Sequence, residues 1–279
     1  MLRIRPMNLD DLPLGCRLSD AAGWNQLLVD WQRLLALEPA GCFVAEWDGQ
    51  AVGTTCITRF ERIAWISMVL VDAAHRGRGI GTQLMRHALA WLDQCGVRTV
   101  RLDATALGRP VYEKLGFVGQ YEVARWEGAA VAGVLGPEVT VAAETHLAAI
   151  TALDQQVTGT PRGPLLARLF NERPQAMRVA VARGRITGFS GVRLGTRARQ
   201  IGPVVALDVR SGSPLLDAAL ADHQGQAVFL DVPLPNRPAI EWAESRGLHI
   251  QRQFLRMVRG RPLVDRPEQI WASFGPEKG

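Results

Sequence analysis

Met68-Val69-Leu70-Val71-Asp72-Ala73-Ala74-His75-Arg76-Gly77-Arg78-Gly79-Ile80-Gly81-Thr82 is the stretch from which the rest of this chain can be read. An apolar run of strand length enters a basic loop with glycine at every second position, and the loop opens an amphipathic helix. Gly77, Gly79 and Gly81 withhold side chains, so backbone N–H groups can come close to a ligand. The following helix, expected over Gly81 to Gln94 with Leu84, Ala88 and Leu92 on one face, turns its positive end to the same place. Arg76 and Arg78 add charge, and the whole describes a cradle for a pyrophosphate. A dinucleotide-binding loop would put G-x-G-x-x-G straight after the first strand, and a P-loop would need Gly-Lys-Ser/Thr; this stretch does neither. The plain alternative is a tight turn with surface arginines.

Outward from the loop, the chain alternates helical and strand periods. Leu9 to Asp20 and Trp24 to Leu37 carry leucines at helical spacing. Cys42 to Trp47 and Gln50 to Thr55 flank Asp48-Gly49 as a hairpin, and Ala64 to Val71 is a continuous apolar strand. Val97 to Asp103 reads as a strand, Arg109 to Leu115 as a short helix, and Val118 to Trp126 as part of a final hairpin. Glu127 to Gly133 with Gly136-Pro137 then reads as a linker. After it the order returns: helices at Thr145–Val157 and Leu165–Asn171, a hairpin at Val179–Gly195, a strand at Gly202–Asp208 and a helix at Pro214–Asp222. A strand at Ala227–Val232, a helix at Pro238–Arg246 and closing strands complete it. Leu102-Asp103 and Arg109-Pro110 map onto Leu230-Asp231 and Arg237-Pro238 at one offset, and Gly49 and Gly53 map onto Gly184 and Gly188 at another. Two copies of one fold are expected, side by side, with insertions between them.

At 279 residues and 30.5 kDa, two domains fit the length. With 47% hydrophobic and 21% charged residues the chain is globular in composition, which excludes a largely disordered one. Four cysteines without CxxC spacing suggest neither a zinc site nor a disulfide framework, and they fit a reducing compartment. The opening MLRIRPMNLDD lacks the apolar core of a signal peptide, and the apolar runs are strand-length, so a cytoplasmic protein without a membrane span is expected. The net charge of +5 suits either nucleic acid or a phosphorylated small ligand. The basic residues are nearly all arginine and scattered, and two tyrosines with eight phenylalanines are few for a base-stacking groove. No nucleic-acid partner is expected.

On these residues the sequence resembles the GNAT-type N-acetyltransferase superfamily. Arg76-Gly77-Arg78-Gly79-Ile80-Gly81 matches that family's [QR]-x-x-G-x-[GA] loop, and Val111-Tyr112-Glu113-Lys114-Leu115-Gly116-Phe117 matches its Tyr-x-x-x-Gly-Phe signature. The resemblance covers residues 1 to about 127 by motif and the second half by element order alone. It implies an α/β fold of the α+β mixed-sheet kind: two tandem GNAT-like domains, each a mostly antiparallel twisted sheet flanked by helices. Residues 1–127 would be the catalytic domain, 128–138 the linker, and 139–279 a degenerate copy serving as acceptor-pocket wall or interface. The implied donor is acetyl-CoA, with its pyrophosphate on Arg76, Gly77, Arg78, Gly79, Ile80, Gly81 and Thr82. Its pantetheine arm would pair with the backbone of Val69, Leu70 and Val71. The Val69 N–H would hold the developing oxyanion and Tyr112 would protonate the leaving thiolate. Where many members carry an asparagine this chain has Thr105, the remaining donor contact.

An amine acceptor must lose a proton to attack. Glu46 is the candidate base, since its counterpart in the second copy is Val181. Trp24, Asn25 and Gln26 fall where the resemblance implies acceptor contacts. Asp103 recurs as Asp231, which points to a shared structural role. In the second copy Asp208 to Pro214 has one glycine and Ile240 replaces the tyrosine, so no acetyl-CoA is expected there; residues 203–210 and 234–238 are where acceptor contacts are expected. The expected activity is direct N-acetyl transfer in a ternary complex to a primary amine, preferably of a small molecule, with no metal, and a homodimer is left open. The rivals are a non-catalytic acyl-CoA-binding or sensor protein and a nucleic-acid-associated one.

Overall fold

Along Cys42–Trp47 successive side chains go to opposite sides of a sheet, as a period of two requires. Phe43 and Ala45 join one core cluster, Cys42 and Val44 another. The same alternation organises both halves of the computed structural model, which describes residues 1–131 and 138–279. Of the linker expected at 128–138, residues 132–137 lie outside the described residues.

The first half runs β1 (Leu2–Pro6), α1 (Leu12–Ala21), α2 (Leu28–Leu37), β2 (Cys42–Trp47), β3 (Gln50–Phe60), β4 (Ile63–Val71), α3 (Ile80–Gln94), β5 (Thr99–Ala104), α4 (Arg109–Lys114) and β6 (Val118–Ala129). The second runs β7 (Val139–Val141), α5 (Leu147–Thr158), α6 (Gly163–Glu172), β8 (Met177–Ala182), β9 (Arg185–Arg193), β10 (Arg199–Ala206), α7 (Val209–Ala221), β11 (Ala227–Pro233), α8 (Arg237–Ser245), β12 (His249–Gly260) and β13 (Ile270–Ala272). The fold is mixed α/β. Among the described residues, every strand pair is antiparallel except β4–β5 and β10–β11. In the first half α3 covers one face of the sheet, and α1 and α2 cover the other.

Several elements depart from the sequence expectation. β1 is additional to the expected elements; it edges the sheet against β2. The helix expected to start at Pro214 starts at Val209, capped by the Asp208 side chain, and so carries Pro214 in its interior. Most consequential, Val118–Trp126 belongs to no hairpin. It is one long strand whose partners come from the second half.

The sheet order is β1-β2-β3-β4-β5-β12-β6-β11-β10-β9-β8-β7, with β13 beside β10. β12 lies between β5 and β6, and β6 lies between β12 and β11. Each half therefore lends its last long strand to the other, and one sheet crosses the molecule.

Buried ion pairs lock this exchange. Arg256 of β12 donates two hydrogen bonds to Asp103 of β5, both 2.9 Å, and the two residues are register partners. Arg125 of β6 does the same to Asp231 of β11, both 2.8 Å and again in register. All four side chains are buried. The recurrence of Asp103 as Asp231 is thus structural: each carboxylate receives the arginine of the other half's strand. Removing one partner strands a charge away from water, which costs about 3–5 kcal/mol, whereas an apolar pair of similar volume is close to neutral. Asp231→Ala is therefore expected to lower unfolding stability in urea by about 3–5 kcal/mol, and Arg125→Met with Asp231→Leu to recover most of that loss.

Candidate active site

The glycine loop is built as its spacing suggests, although the three glycines do different work. Gly77 and Gly79 both have φ of +76°, in the left-handed region that residues with a Cβ avoid. Gly81 lies inside the first turn of α3, where a methyl would make only an ordinary 3.7 Å contact with Val71. The consequence is a run of bare donors. Among the described residues, no N–H from Gly77 to Thr82 has a protein acceptor; the helix ladder begins with Gln83 donating to the Gly79 carbonyl at 3.0 Å. Six consecutive amides at a helix start, with the helix dipole behind them, form an anion site. Arg76 is pinned by its Nε–H on the Val71 carbonyl at 3.1 Å, and Arg78 lies over the Trp47 ring at 5.3 Å. The loop's entrance is held by Asp72, which accepts from the Ala74 N–H and pairs with Arg17 at 2.7 Å. The Arg17 hydrogen bond keeps the Asp72 carboxyl below its ordinary pKa.

Val69, Leu70 and Val71 end a strand that parts from its neighbour. β5 pairs with β4 only over Ile63–Trp65. From Ile66 onward the β4 edge facing β5 carries no strand, which leaves a wedge-shaped opening. At that point β4 also bulges: its register on β3 shifts between Thr54 and Cys56, and Met68 takes φ of +53°. Such a conformation costs a non-glycine residue about 1 kcal/mol or more and persists only where the surroundings enforce it. The Thr54 hydroxyl donates to the Met68 carbonyl at 2.9 Å and holds the bulge. Neither residue stands out in the sequence, where a bulge leaves no mark when its residue is not glycine.

Tyr112 is brought to the same side as the loop. Its ring packs against the α3-side core, as Val69 and Val71 also do, and meets Phe117 edge-on at a centroid distance of 6.1 Å. The spacing of the Tyr-x-x-x-Gly-Phe motif follows from this. Gly116, at φ +84°, turns the chain out of α4 so that buried Phe117 can support the ring. Gly108 clears the other side, because a methyl there would come to 2.8 Å of the ring. Burial raises the Tyr112 pKa to about 12, so the phenol keeps its proton across the working range. Thr105 acts locally, its hydroxyl and carbonyl accepting from Gly108 N–H at the entry to α4.

Glu46 is not placed as a base. It projects to the α1–α2 face, where Arg5 donates to it at 2.6 Å and also grips Asp11 with two bonds of 2.7 Å. Its carboxylate is closed into an ion triad with Arg5 and Asp11, which gives it a structural partner.

The predicted acceptor residues are also taken. Asn25 is fully buried; its amide donates to the Ala198 carbonyl and accepts from the Arg197 and Ala198 N–H groups at 2.9–3.1 Å. The Trp24 carbonyl accepts from the Thr196 hydroxyl at 3.2 Å, and Gln26 donates to Glu277 at 3.1 Å. These residues dock the second half, and the helix expected from Trp24 starts only at Leu28. The parts of the second half that reach this corner are residues 193–198 and 274–279. Segments 203–210 and 234–238, where contacts were expected, are β10 with the start of α7, and the turn into α8.

The second half repeats the wedge and then fills it. β11 pairs with β10 only over Arg199–Ile201, and beyond that point β13 pairs with β10 at Val204 and Val205. Ser273 N–H donates to the Asp231 carbonyl of β11 at 2.8 Å. The start of α7 is closed as well: the Asp208 carboxylate accepts from Ser211 N–H at 2.9 Å, and the Trp271 ring covers Gly212. Among the described residues no group of His, Cys, Asp and Glu could hold a metal ion, and no helix is long and apolar enough to cross a membrane.

Comparison with known proteins agrees with this geometry. The Acetyltransferase (GNAT) family model matches residues 9–117, and an Acetyltransferase (GNAT) domain model matches residues 150–272. The chain belongs to the GNAT acetyltransferases and carries two GNAT domains in tandem. A curated relative from Pseudoalteromonas sp. (strain SANK 73390), holothin acyltransferase, is 25% identical over 99% of this chain and 94% of its own. A crystal structure from Pyrococcus horikoshii, described as a candidate acetyltransferase, superimposes with a TM-score of 0.85 at 24% identity, covering 100% of this chain and 96% of that one. A tandem GNAT protein from the clavulanic acid biosynthesis pathway gives 0.67 at 16% identity, over 95% and 100%. The two structural likenesses are ones of fold.

The unequal roles of the glycines can be measured. Gly79→Ala forces a Cβ into the left-handed region and is expected to cost about 1–2 kcal/mol of unfolding stability. Gly81→Ala, at a helical position with room, is expected to be neutral or to stabilise by about 0.5–1 kcal/mol. Urea denaturation of the two variants separates the cases.

Proposed function

We propose that the first half transfers an acetyl group from acetyl-CoA to the primary amine of a small molecule, by direct attack in a ternary complex, and that the second half binds no donor. The observation that carries this reading is the run of six unpartnered amides at the start of α3, beside the wedge between β4 and β5. A pyrophosphate suits the amides and the flanking Arg76 and Arg78, and an extended pantetheine arm suits the bare edge of β4. The alignment over 99% of this chain with a relative named as an acyltransferase supports acyl transfer. In the second half, a strand of the chain itself lies on the corresponding edge.

Bound acetyl-CoA would supply the thioester. The Val69 N–H, at the β4 bulge, would polarise its carbonyl and hold the charge that develops on oxygen. Tyr112, protonated and packed on the same core face as Val69 and Val71, would give its proton to the leaving thiolate. Binding both partners across the wedge would supply orientation. With Glu46 held by Arg5, an ammonium acceptor loses its proton to water before attack. The rate then follows the acceptor's own ionisation.

Calorimetric titration of acetyl-CoA into wild type and Gly79→Glu tests the donor site. Micromolar binding to wild type that disappears in the variant is expected; no binding at millimolar donor to wild type sinks the proposal.

Tyr112→Phe is expected to lower kcat for thiol release by roughly 10²-fold with acetyl-CoA affinity retained. An unchanged kcat removes Tyr112 from the chemistry. Since Tyr112 holds its proton up to a pKa of about 12, the wild-type rate is expected to rise with pH and then stay level, with no alkaline decline until that region.

A further inference from the structure

Of the 32 basic side chains, 30 are arginine and two are lysine. Lys114 is exposed on α4, and Lys278 is 1% exposed. The other buried cations among the described residues are Arg33, Arg101, Arg125, Arg162, Arg193 and Arg256, and each is ion-paired with a carboxylate within hydrogen-bond distance. Lys278 departs from this pattern. Its Nζ is 3.6 Å from Glu277, has no hydrogen-bond partner and lies 4.7 Å over the Phe274 ring. An arginine cannot shed its proton at any ordinary pH, whereas a buried lysine can.

The segment that carries Lys278 leads to the wedge of the first half. After β13, Phe274 packs with Phe60 and Leu165, and the Pro276 carbonyl accepts from Trp65 Nε1–H at 2.9 Å. Trp65 is the last β4 residue paired with β5. Lys278 thus stands near the point where the two strands part. It faces Asp30 and Arg33 of α2, Arg193 of β9, Glu277 and Cys56 of β3. Tyr112 and the start of α3 lie on the opposite face, and the wedge is the opening between the faces. On the lysine's side, Thr58 and Ser67 bury hydroxyls, and Gln26 and Trp31 bury polar atoms, with no partner. A buried polar group without a partner calls for an explanation. Here Thr58, Ser67 and Trp31 lie on the stretch of β3, β4 and α2 that faces the Lys278 amine, which itself has no hydrogen-bond partner.

We propose that Lys278 is an acceptor for the enzyme's own acyl transfer, acetylated in cis from acetyl-CoA held in the first half. The inference rests on the donor reading above. The Nζ lone pair attacks the thioester carbonyl, the N–C bond forms and the C–S bond breaks. Tyr112 protonates the departing thiolate and regains, through solvent, the proton that the new amide nitrogen gives up. Burial supports the step by bringing the lysine pKa down to about 8, so the free amine is populated at mildly alkaline pH. The product suits its surroundings, because a neutral amide is cheaper to bury than an ammonium without a hydrogen-bond partner.

The test incubates the full chain with isotopically labelled acetyl-CoA and follows both lysines by peptide mass spectrometry. Lys114 is the built-in control for uncatalysed labelling. Lys278 is expected to take up label with a first-order rate unchanged by dilution, and roughly 10²-fold more slowly in Tyr112→Phe. Lys278→Met is expected to abolish that label while retaining calorimetric acetyl-CoA binding. Labelling of Lys278 no faster than Lys114, or slowing on dilution, in protein that binds acetyl-CoA overturns this inference and leaves the donor reading standing. Absence of acetyl-CoA binding overturns the donor reading, and this inference with it.

Discussion

The two buried arginine–aspartate pairs across exchanged strands are the constraint on which the rest of the molecule depends. β6 and β12 form the centre of the sheet, each hydrogen-bonded to the other and to a strand of the opposite half. Arg256–Asp103 and Arg125–Asp231 set the register of those outer pairings. A slip of one residue would turn each arginine to the other face and leave four charges buried without partners, so the register is strongly specified. Neither half can complete its sheet alone. The expected outcome is cooperative unfolding as one unit, despite the repeat in the sequence.

The exchange also explains how one architecture has two fates. In both halves a parallel pair runs for three residues and then parts, β4 from β5 and β10 from β11. In the first half the bare edge lies beside six free amides. In the second, β13 occupies the edge, Asp208 caps the helix and Trp271 covers the glycine. Each of these replaces a feature that a donor would need: a strand edge, free N–H groups and open backbone. The second copy did not simply lose contacts. Its cleft is occupied by the chain itself.

Much of this is legible in the sequence, and the boundary falls where local pattern gives way to long-range pairing. Glycines at 77 and 79, the α3 stripe and the Tyr-x-x-x-Gly-Phe spacing act through neighbours in sequence, so the loop and Tyr112 can be located from residues alone. Val118–Ala129 can be recognised as extended but not assigned partners, because its partners lie about a hundred residues or more away. Glu46 and Asn25 mislead for the same reason. A glutamate on a strand is a base or a salt-bridge member depending on whether an arginine such as Arg5 stands opposite. A buried asparagine is an acceptor contact or an interdomain clamp depending on what reaches it, here the backbone of Arg197 and Ala198. Asp103 can be read correctly because its recurrence as Asp231 ties it to fold and not to chemistry.

The filling of the second cleft bears on the first in a further way. β13 has to leave the β10–β11 wedge, and the chain then runs under α2 toward Trp65. Glu277 is fixed there by Arg193 and Gln26, one from each half. The segment that closes the second cleft is thereby delivered to the corner where the first half meets its neighbour. A loop of the first half alone would leave this side of β4 open to water. Exclusion of water strengthens every charge and hydrogen bond at a reacting centre. On the proposed reading, the second half has a physical role although it binds no donor. It covers the other face of the β4–β5 wedge, and it does so with the segment that follows β13.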